Sequence, residues 1–114
     1  MVAAFRAGKY LTFRIAKREF AIDASRVRAI VPFDHPVDFP VIDLRNKLGL
    51  PVGLGGRNPC IIVIETDTPF SRAGFLVDGV SDLITARERD YSHGKLRMGG
   101  RPRRVIDADS ILNP

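Results

Sequence analysis

Polar and apolar residues alternate along several short stretches of this chain, and the alternation predicts β-strands. Leu11, Phe13 and Ile15 share one face of residues 10–17, which is typical of a half-buried strand. Residues 17–19 are predicted to turn this strand into a second one that begins at residue 20. The remaining predicted strands comprise a hairpin of residues 60–65 with 72–78 and short strands at 41–42, 83–85, 94–98 and 103–106.

One short helix is predicted after the first hairpin. Asp23 or Ser25 can cap a helix over residues 24–30. Val27 and Ile30, three residues apart, would form its apolar side. Pro32 then ends it, because a proline lacks the backbone donor that a helix requires.

A sequence unit occurs twice, at residues 41–48 and 105–112. In each copy a Val-Ile pair precedes an aspartate, and a leucine follows five residues later. The aspartate can cap a helical turn, so the first copy predicts a helix at residues 43–48. The repeat suggests two similar halves. Many short strands with Gly and Pro turns predict an all-β barrel class with short helices.

Composition is that of one soluble globular domain. The chain has 114 residues, of which 45% are hydrophobic and 27% charged. No apolar run is long enough to cross a bilayer, and the N-terminus is too weakly apolar for a signal peptide, so we expect a cytoplasmic protein with no membrane insertion. Cys60 is a single cysteine in an apolar strand, which excludes an intrachain disulfide and favours a core position.

The net charge of +5 suggests an acidic partner. Basic residues cluster at 6–18 and 95–104, a pattern found both in nucleic-acid-binding proteins and on solvated strand faces. Barrels that bind nucleic acid usually place aromatic rings among the basic residues, and residues 95–104 contain none. A small basic β-barrel that binds nucleic acid is therefore the alternative function, and the solvated face is the preferred interpretation.

No pattern predicts an enzyme, a cofactor or a metal site. His35 and His93 have no partner at a ligand spacing. Asp107 and Asp109 are better explained as helix caps than as an acid–base pair. Ser81 lacks the glycine-flanked motif of a serine nucleophile. Function is therefore expected to depend on surfaces.

Residues 73–84 are the most informative stretch, because an apolar strand bends at Asp78-Gly79 and a second apolar pair follows. With its unit Val77-Asp78-x-Val80-Ser81-Asp82, and with Val41-Ile42-Asp43-Leu44-Arg45, the chain resembles the CheW-like adaptor domains of bacterial chemotaxis. The resemblance extends over most of the chain. It implies a single domain, residues 1–114, of two small SH3-like β-barrels, with halves roughly at 16–58 and at 59–114 together with the N-terminal strand.

The resemblance also implies how such a domain works. CheW-like proteins scaffold a signalling array without catalysis. They bind the cytoplasmic tips of chemoreceptors and the regulatory domain of the histidine kinase CheA. A groove between the barrels would hold a receptor helix. The walls of that groove would be Val27, Ile30 and Val31 on one side and Val77, Val80 and Ser81 on the other.

The chain departs from this family pattern in one place. Family members carry a strand with a G-V-I-N-L-R-G type motif ahead of the segment like residues 41–45, and here only residues 34–40 fill that space. The first barrel is therefore predicted to be incomplete and to present a free strand edge. A homo-oligomer formed through that edge is expected, although prolines at 32, 36 and 40 partly protect it.

Overall fold

The computed structural model describes residues 5–50, 58–66 and 71–112. The strands of this part of the chain are β1 Gly8–Ile15, β2 Arg18–Asp23, β3 Val27–Pro32, β4 Val41–Asp43, β5 Cys60–Glu65, β6 Arg72–Val77, β7 Gly79–Ala86, β8 Tyr91–Ser92, β9 Lys95–Met98 and β10 Arg101–Ile106. The helical segments are α1 Leu44–Lys47, α2 Ala108–Leu112 and the 3₁₀ turns Ala24–Arg26 and Glu88–Asp90. The prediction of an all-β fold with short helices is confirmed. The first four residues, on which the signal-peptide expectation depends, lie outside the described ranges.

The strands form two sheets of unequal size. Sheet A has six strands in the order β7-β1-β2-β10-β9-β8, and sheet B has four in the order β3-β5-β6-β4. Sheet B is built from residues 27–77, and sheet A from the segments on either side of it. The hydrogen-bonded sheets therefore divide the chain differently from the predicted halves at residue 58, because β5 pairs with β3 and continues the sheet that β3 begins.

The repeated Val-Ile-Asp unit has the same structural place in both sheets. In sheet B, β4 pairs in parallel with β6, and in sheet A, β10 pairs in parallel with β2. Each parallel strand leads into a short helix. The Asp43 carboxylate accepts a hydrogen bond from the Arg45 N–H (3.0 Å), and the Asp107 carboxylate accepts one from the Asp109 N–H (3.2 Å). The helix predicted at 43–48 is confirmed as α1 with Leu48 as its C-cap.

The helix predicted over residues 24–30 is wrong beyond its first turn. Asp23 does cap a turn, accepting a hydrogen bond from the Ser25 N–H (2.9 Å), but that turn ends at Arg26. From Val27 the chain is the strand β3, antiparallel to β5. The reason is tertiary: the β-branched residues of β3 lie opposite Ile61, Ile62 and Ile64 of β5, and cross-strand packing outweighs the helical spacing.

The main hydrophobic core lies between the sheets. Sheet A contributes Phe13 and Ile22, sheet B contributes Ile62 and Phe75, and Leu44 of α1 joins them. A second, smaller core lies on the opposite face of sheet A around Tyr10, Ala21, Ala86 and Leu96. Sheet A therefore has apolar packing on both faces, and β1, which the alternation predicts to be half-buried, is buried on both sides from Tyr10 to Phe13.

A side chain replaces part of the backbone ladder where β1 meets β7. The register between these strands shifts between Leu11 and Phe13. At the shift the fully buried Thr12 hydroxyl donates to the Asp82 carbonyl (3.2 Å) and accepts from the Asp82 N–H (2.9 Å). These two bonds satisfy backbone groups of β7 that the bulge leaves unpaired.

Candidate functional site

The two sequence units that carry the family resemblance meet in a buried ion pair. Arg45, the second residue of α1, pairs with Asp78 at the bend between β6 and β7. Only 10% of the Arg45 side chain and 14% of the Asp78 side chain are exposed. The second Asp78 carboxylate oxygen accepts a hydrogen bond from the Ala16 N–H (2.8 Å). Asp78 therefore links α1 to the hairpin turn between β1 and β2.

The conformation of that hairpin turn gives the Asp78 carboxylate a structural role. Ala16 and Lys17 both have positive φ, 51° and 67°, as a two-residue type I′ turn requires. Neither residue is glycine, so the turn is strained. The Asp78 carboxylate accepts a hydrogen bond from the Ala16 N–H, and the Asp78 N–H donates one to the Arg14 carbonyl (2.9 Å). The bend at residue 78 thus fixes the turn against sheet B.

A second link joins the sheets at the other end of the core. The Arg26 guanidinium donates to the Glu65 carbonyl at the end of β5 (2.9 Å) and to the Asp109 carboxylate in α2 (2.9 Å). The hydrogen bond from Arg26 lowers the pKa of Asp109 below its usual value, because it stabilises the ionised carboxylate. This link is more exposed than the Arg45–Asp78 pair, since 44% of the Asp109 side chain is accessible.

The predicted groove residues on β6 and β7 are mostly interior. Val77 is 1% exposed and belongs to the main core, against which Val80 is also packed. The Ser81 hydroxyl oxygen is buried and has no hydrogen-bond partner among the described residues. Because Val77 is inside the core, it can affect the binding of a partner only by supporting the exposed residues that pack over it.

The predicted groove residues on β3 do not share one face. Ile30 lies opposite Ile62, which faces the core, and Val31 lies opposite Ile61 on the other face. Directly opposite residues of an antiparallel pair point to the same side, so Ile30 and Val31 point to opposite sides of sheet B. Val27 is half-buried against the core. Ile30 is the exposed member of the predicted set, at 45%.

The exposed large apolar side chains of the described chain lie on or beside edge strands. Ile30 is on β3 and Val41, 42% exposed, is on β4, so both edges of sheet B carry one. Phe33, 57% exposed, directly follows β3, and Leu83, 58% exposed, is on β7 at an edge of sheet A. We call these four residues the apolar edge residues. Leu83, Phe33 and Val41 are absent from the predicted set; the adjacent apolar pair Leu83-Ile84 was a usable signal, because neighbours in a strand point to opposite faces.

A cavity of about 430 Å³ lies on the face of sheet B that points away from the main core. The sheet contributes Ala29, Val31 and Val63 to its walls, and the segment that precedes β4 contributes residues 35–39. Gly74 continues this face, and a Cβ there would overlap Ile61. Residues 35–39 of the cavity wall belong to the short segment 34–40 that precedes β4.

The described residues contain no group of three or more His, Cys, Asp or Glu side chains able to hold a metal ion. Burial raises the pKa of the Cys60 thiol, so the thiol is neutral and packs as a small apolar side chain. No helix in the described ranges is long and apolar enough to cross a membrane.

Comparisons with known proteins agree with this geometry. The model of the CheW-like domain family matches residues 39–113. The chain is 24% identical over 134 residues to the chemotaxis protein CheW of Rhizobium meliloti (strain 1021), an alignment that covers 90% of this chain and 85% of that protein. Because the alignment is longer than the 114 residues of this chain, the relative carries residues that this chain lacks.

A solved structure shows the fold. The crystal structure of the scaffolding protein TtCheW from Thermoanaerobacter tengcongensis superimposes with a TM-score of 0.78 at 18% identity, covering 96% of this chain and 94% of that one. The prediction of two small SH3-like barrels is confirmed by this match. The incompleteness of the first barrel stays a prediction.

Proposed function

This chain belongs to the CheW-like domain family, and from that premise we propose that it works as a chemotaxis adaptor, coupling chemoreceptors to a CheA-type histidine kinase through contacts between proteins. The family match over residues 39–113 carries the proposal. The adaptor role requires no catalysis, in agreement with the expectation that the chain is not an enzyme. Nothing in the comparisons supports the nucleic-acid alternative.

The apolar edge residues support contact with a protein rather than with a small ligand. A large exposed apolar side chain on an edge strand lies beside unpaired backbone groups, so a partner can bury the side chain and bond to the backbone. Ile30 of β3 and Leu83 of β7 are the strongest candidates on their sheets. We place Ile30, Val80 and Ser81 at or near the contact, with Val27 and Val77 as support beneath it and Val31 in the cavity on the other face.

The binding test measures each partner separately. Ile30→Asp and Leu83→Asp are compared with wild type for binding a receptor cytoplasmic-tip fragment and, in a second titration, the regulatory domain of a CheA-type kinase. Thr85→Asp is the control, because Thr85 is an exposed polar residue on the same strand as Leu83. We expect each apolar variant to weaken at least one partner by about tenfold or more, the size of an interface hot spot. Normal binding of both partners by both folded variants would contradict the site.

We also propose that two copies of the chain pair through the free edge of β3. Ile30 exposes an apolar side chain there, and among the described strands β3 has a hydrogen-bonded neighbour on one side only. Pro32 limits the edge, because it lacks an N–H and its carbonyl accepts from the His35 N–H (3.0 Å). The open stretch is therefore short, and a dimer that dissociates on dilution is expected.

Sedimentation velocity over a range of concentrations tests this pairing. We expect the wild-type mass to rise with concentration and the Ile30→Lys variant to stay monomeric. Leu83→Lys is the control, since it changes an exposed apolar residue on the other sheet. A strictly monomeric wild-type chain throughout the micromolar range would overturn the pairing without affecting the adaptor proposal.

A further inference from the structure

One face of sheet A changes from apolar to basic along its length. Phe20 and Ile106 of this face are buried in the main core, where sheet B covers them. Arg104 lies beside Phe20 in the parallel pair of β10 with β2, and Lys95 lies opposite Arg104 on β9. Arg97 is two residues from Lys95 and therefore points to the same side. Lys95, Arg97 and Arg104 are all exposed, and we call them the basic face.

The charges of the basic face are arranged at an energetic cost. Lys95 and Arg104 are directly opposite in an antiparallel pair, and like charges in that position destabilise a sheet. The next pair on the same face of the hairpin joins Arg97 to Pro102, so no acid interrupts the row. Arg18, also exposed and two residues before Phe20, adds a fourth cation beside it.

On the other face of the same hairpin, the arginines are neutralised by a carboxylate. Arg101 and Arg103 point to the opposite side, and both pair with the Glu19 carboxylate, at 3.4 Å and 2.9 Å. In the described part of the chain, the ion pairs engage neither Arg18 nor any residue of the basic face. The hairpin thus has paired cations on one side and a repelling, unneutralised set on the other.

The chemistry of the basic face suits an acidic polypeptide. Four cations on neighbouring strands provide a flat positive surface that attracts carboxylates and speeds encounter with them. Nucleic-acid surfaces of this size use aromatic rings for base stacking. Tyr91, the aromatic residue nearest to β9, lies opposite Leu96 on the other side of the sheet and stacks on Phe5 with 4.5 Å between the ring centroids. No exposed apolar side chain accompanies these cations in the described residues, so an insertion anchor for a lipid surface is also missing there.

We propose that the basic face is a second docking surface, which binds an acidic segment of a partner protein by charge. It lies on β9 and β10, which β1 and β2 separate from β7 and its exposed Leu83 in sheet A. The contact goes beyond the adaptor role proposed above, because it is electrostatic and depends on salt. The carboxylates of the bound segment would neutralise the cations of the basic face, which have no ion pair within the described chain.

The test uses a fluorescently labelled peptide of twelve residues, alternating glutamate and serine, and measures its anisotropy with increasing NaCl. The charge-reversed triple variant is Lys95→Glu, Arg97→Glu and Arg104→Glu. The matched control is Lys9→Glu, Lys47→Glu and Arg89→Glu, which changes the net charge equally at exposed positions elsewhere. If the charge-reversed triple variant does not fold, it is replaced by a neutral triple variant with Lys95→Gln, Arg97→Gln and Arg104→Gln.

We expect the basic-face variants to lose about tenfold or more in affinity at low salt and the control to lose much less, since local charges govern the contact. Equal losses in the two triples would overturn the proposal, because net charge alone would then explain binding. It would also be overturned if duplex DNA or phosphatidylserine vesicles bound the same face at least tenfold more tightly than the peptide. Binding of the receptor fragment and the kinase domain by the triples tests the adaptor role independently.

Discussion

Sheets A and B share one core but differ in how completely they are enclosed. Sheet A has six strands and apolar packing on both faces, and the segments at both ends of the described chain contribute to it. Sheet B has four strands, one face in the core and the other beside a 430 Å³ cavity, with exposed apolar residues at both edges. The comparison shows that the two sheets leave different surfaces exposed. Sheet B has an exposed apolar residue at each edge, and sheet A has Leu83 at one edge and the exposed cations of β9 and β10 elsewhere.

Substitutions in the shared core test whether the two sheets form one cooperative unit, and we expect them to destabilise the protein most. Phe13 of sheet A and Phe75 of sheet B are both fully buried in the shared core. Truncation of either to alanine should reduce the free energy of unfolding by about 3–5 kcal/mol, through lost burial and the cavity left behind. Urea titrations followed by circular dichroism check this, with Phe33→Ala as the exposed control. A separate early transition for sheet B in Phe75→Ala would show that the sheets unfold independently.

A smaller loss is expected when the buried link between the sheets is broken. Arg45→Ala leaves the Asp78 carboxylate buried without its cation, which should cost ~3 kcal/mol. The double variant Arg45→Met with Asp78→Asn removes both charges and keeps an acceptor for the Ala16 N–H, so it should recover most of the loss. Arg28→Ala is the control, because its pair with Glu65 is exposed and should contribute less than about 1 kcal/mol. A double variant as unstable as Arg45→Ala would contradict this account.

Close contacts around Gly74 on sheet B should make an added methyl group there destabilising. In Gly74→Ala the new Cβ would overlap Ile61 and lie 3.2 Å from the Phe39 ring, so a loss of about 1–3 kcal/mol is expected. Gly79→Ala is the matched control, since its Cβ would meet only the mobile end of Arg14. Thermal melts of both variants give the comparison. If Gly74→Ala is as stable as Gly79→Ala, Ile61 can move aside and the steric cost that we infer is wrong.

The smallest effect concerns the exposed link between the sheets. The pKa of Asp109 is lowered from 3.8 by the hydrogen bond from Arg26, so the folded state favours the ionised carboxylate. Its stabilisation is therefore present above the unfolded pKa and is lost as the pH falls through the lower folded pKa. Because the pair is partly exposed, Asp109→Asn should cost less than about 1 kcal/mol at pH 7.

Urea midpoints measured from pH 7 to pH 2.5 check this dependence. The difference between wild type and Asp109→Asn should shrink as the pH falls below 3.8. Asp34→Asn, in the exposed segment before β4, serves as control. A difference that is constant over the whole range would mean that the Arg26 hydrogen bond does not depend on the charge of Asp109.

Local signals were sufficient for most strands and for α1. The hairpin of β1 with β2, the hairpin of β5 with β6 and the repeated Val-Ile-Asp unit all follow from alternation, turn residues and a capping aspartate. The residues of the candidate site were less predictable. Val77 and Ile30 are both apolar strand residues, yet one is 1% and the other 45% exposed. Their difference depends on which neighbours the fold provides.

Patterns of neighbouring residues were enough to predict a small all-β domain that resembles the CheW-like family, because strand periodicity, turns and caps are local properties. That residues 27–32 form a strand depends on long-range contacts, because pairing with β5 overrides a helical spacing. The tertiary structure also brings Arg45 to Asp78, 33 residues away, and leaves Lys95, Arg97 and Arg104 without an ion pair among the described residues. Which charges meet and which apolar residues stay exposed depends on contacts between distant segments, and such contacts leave no local pattern in the chain.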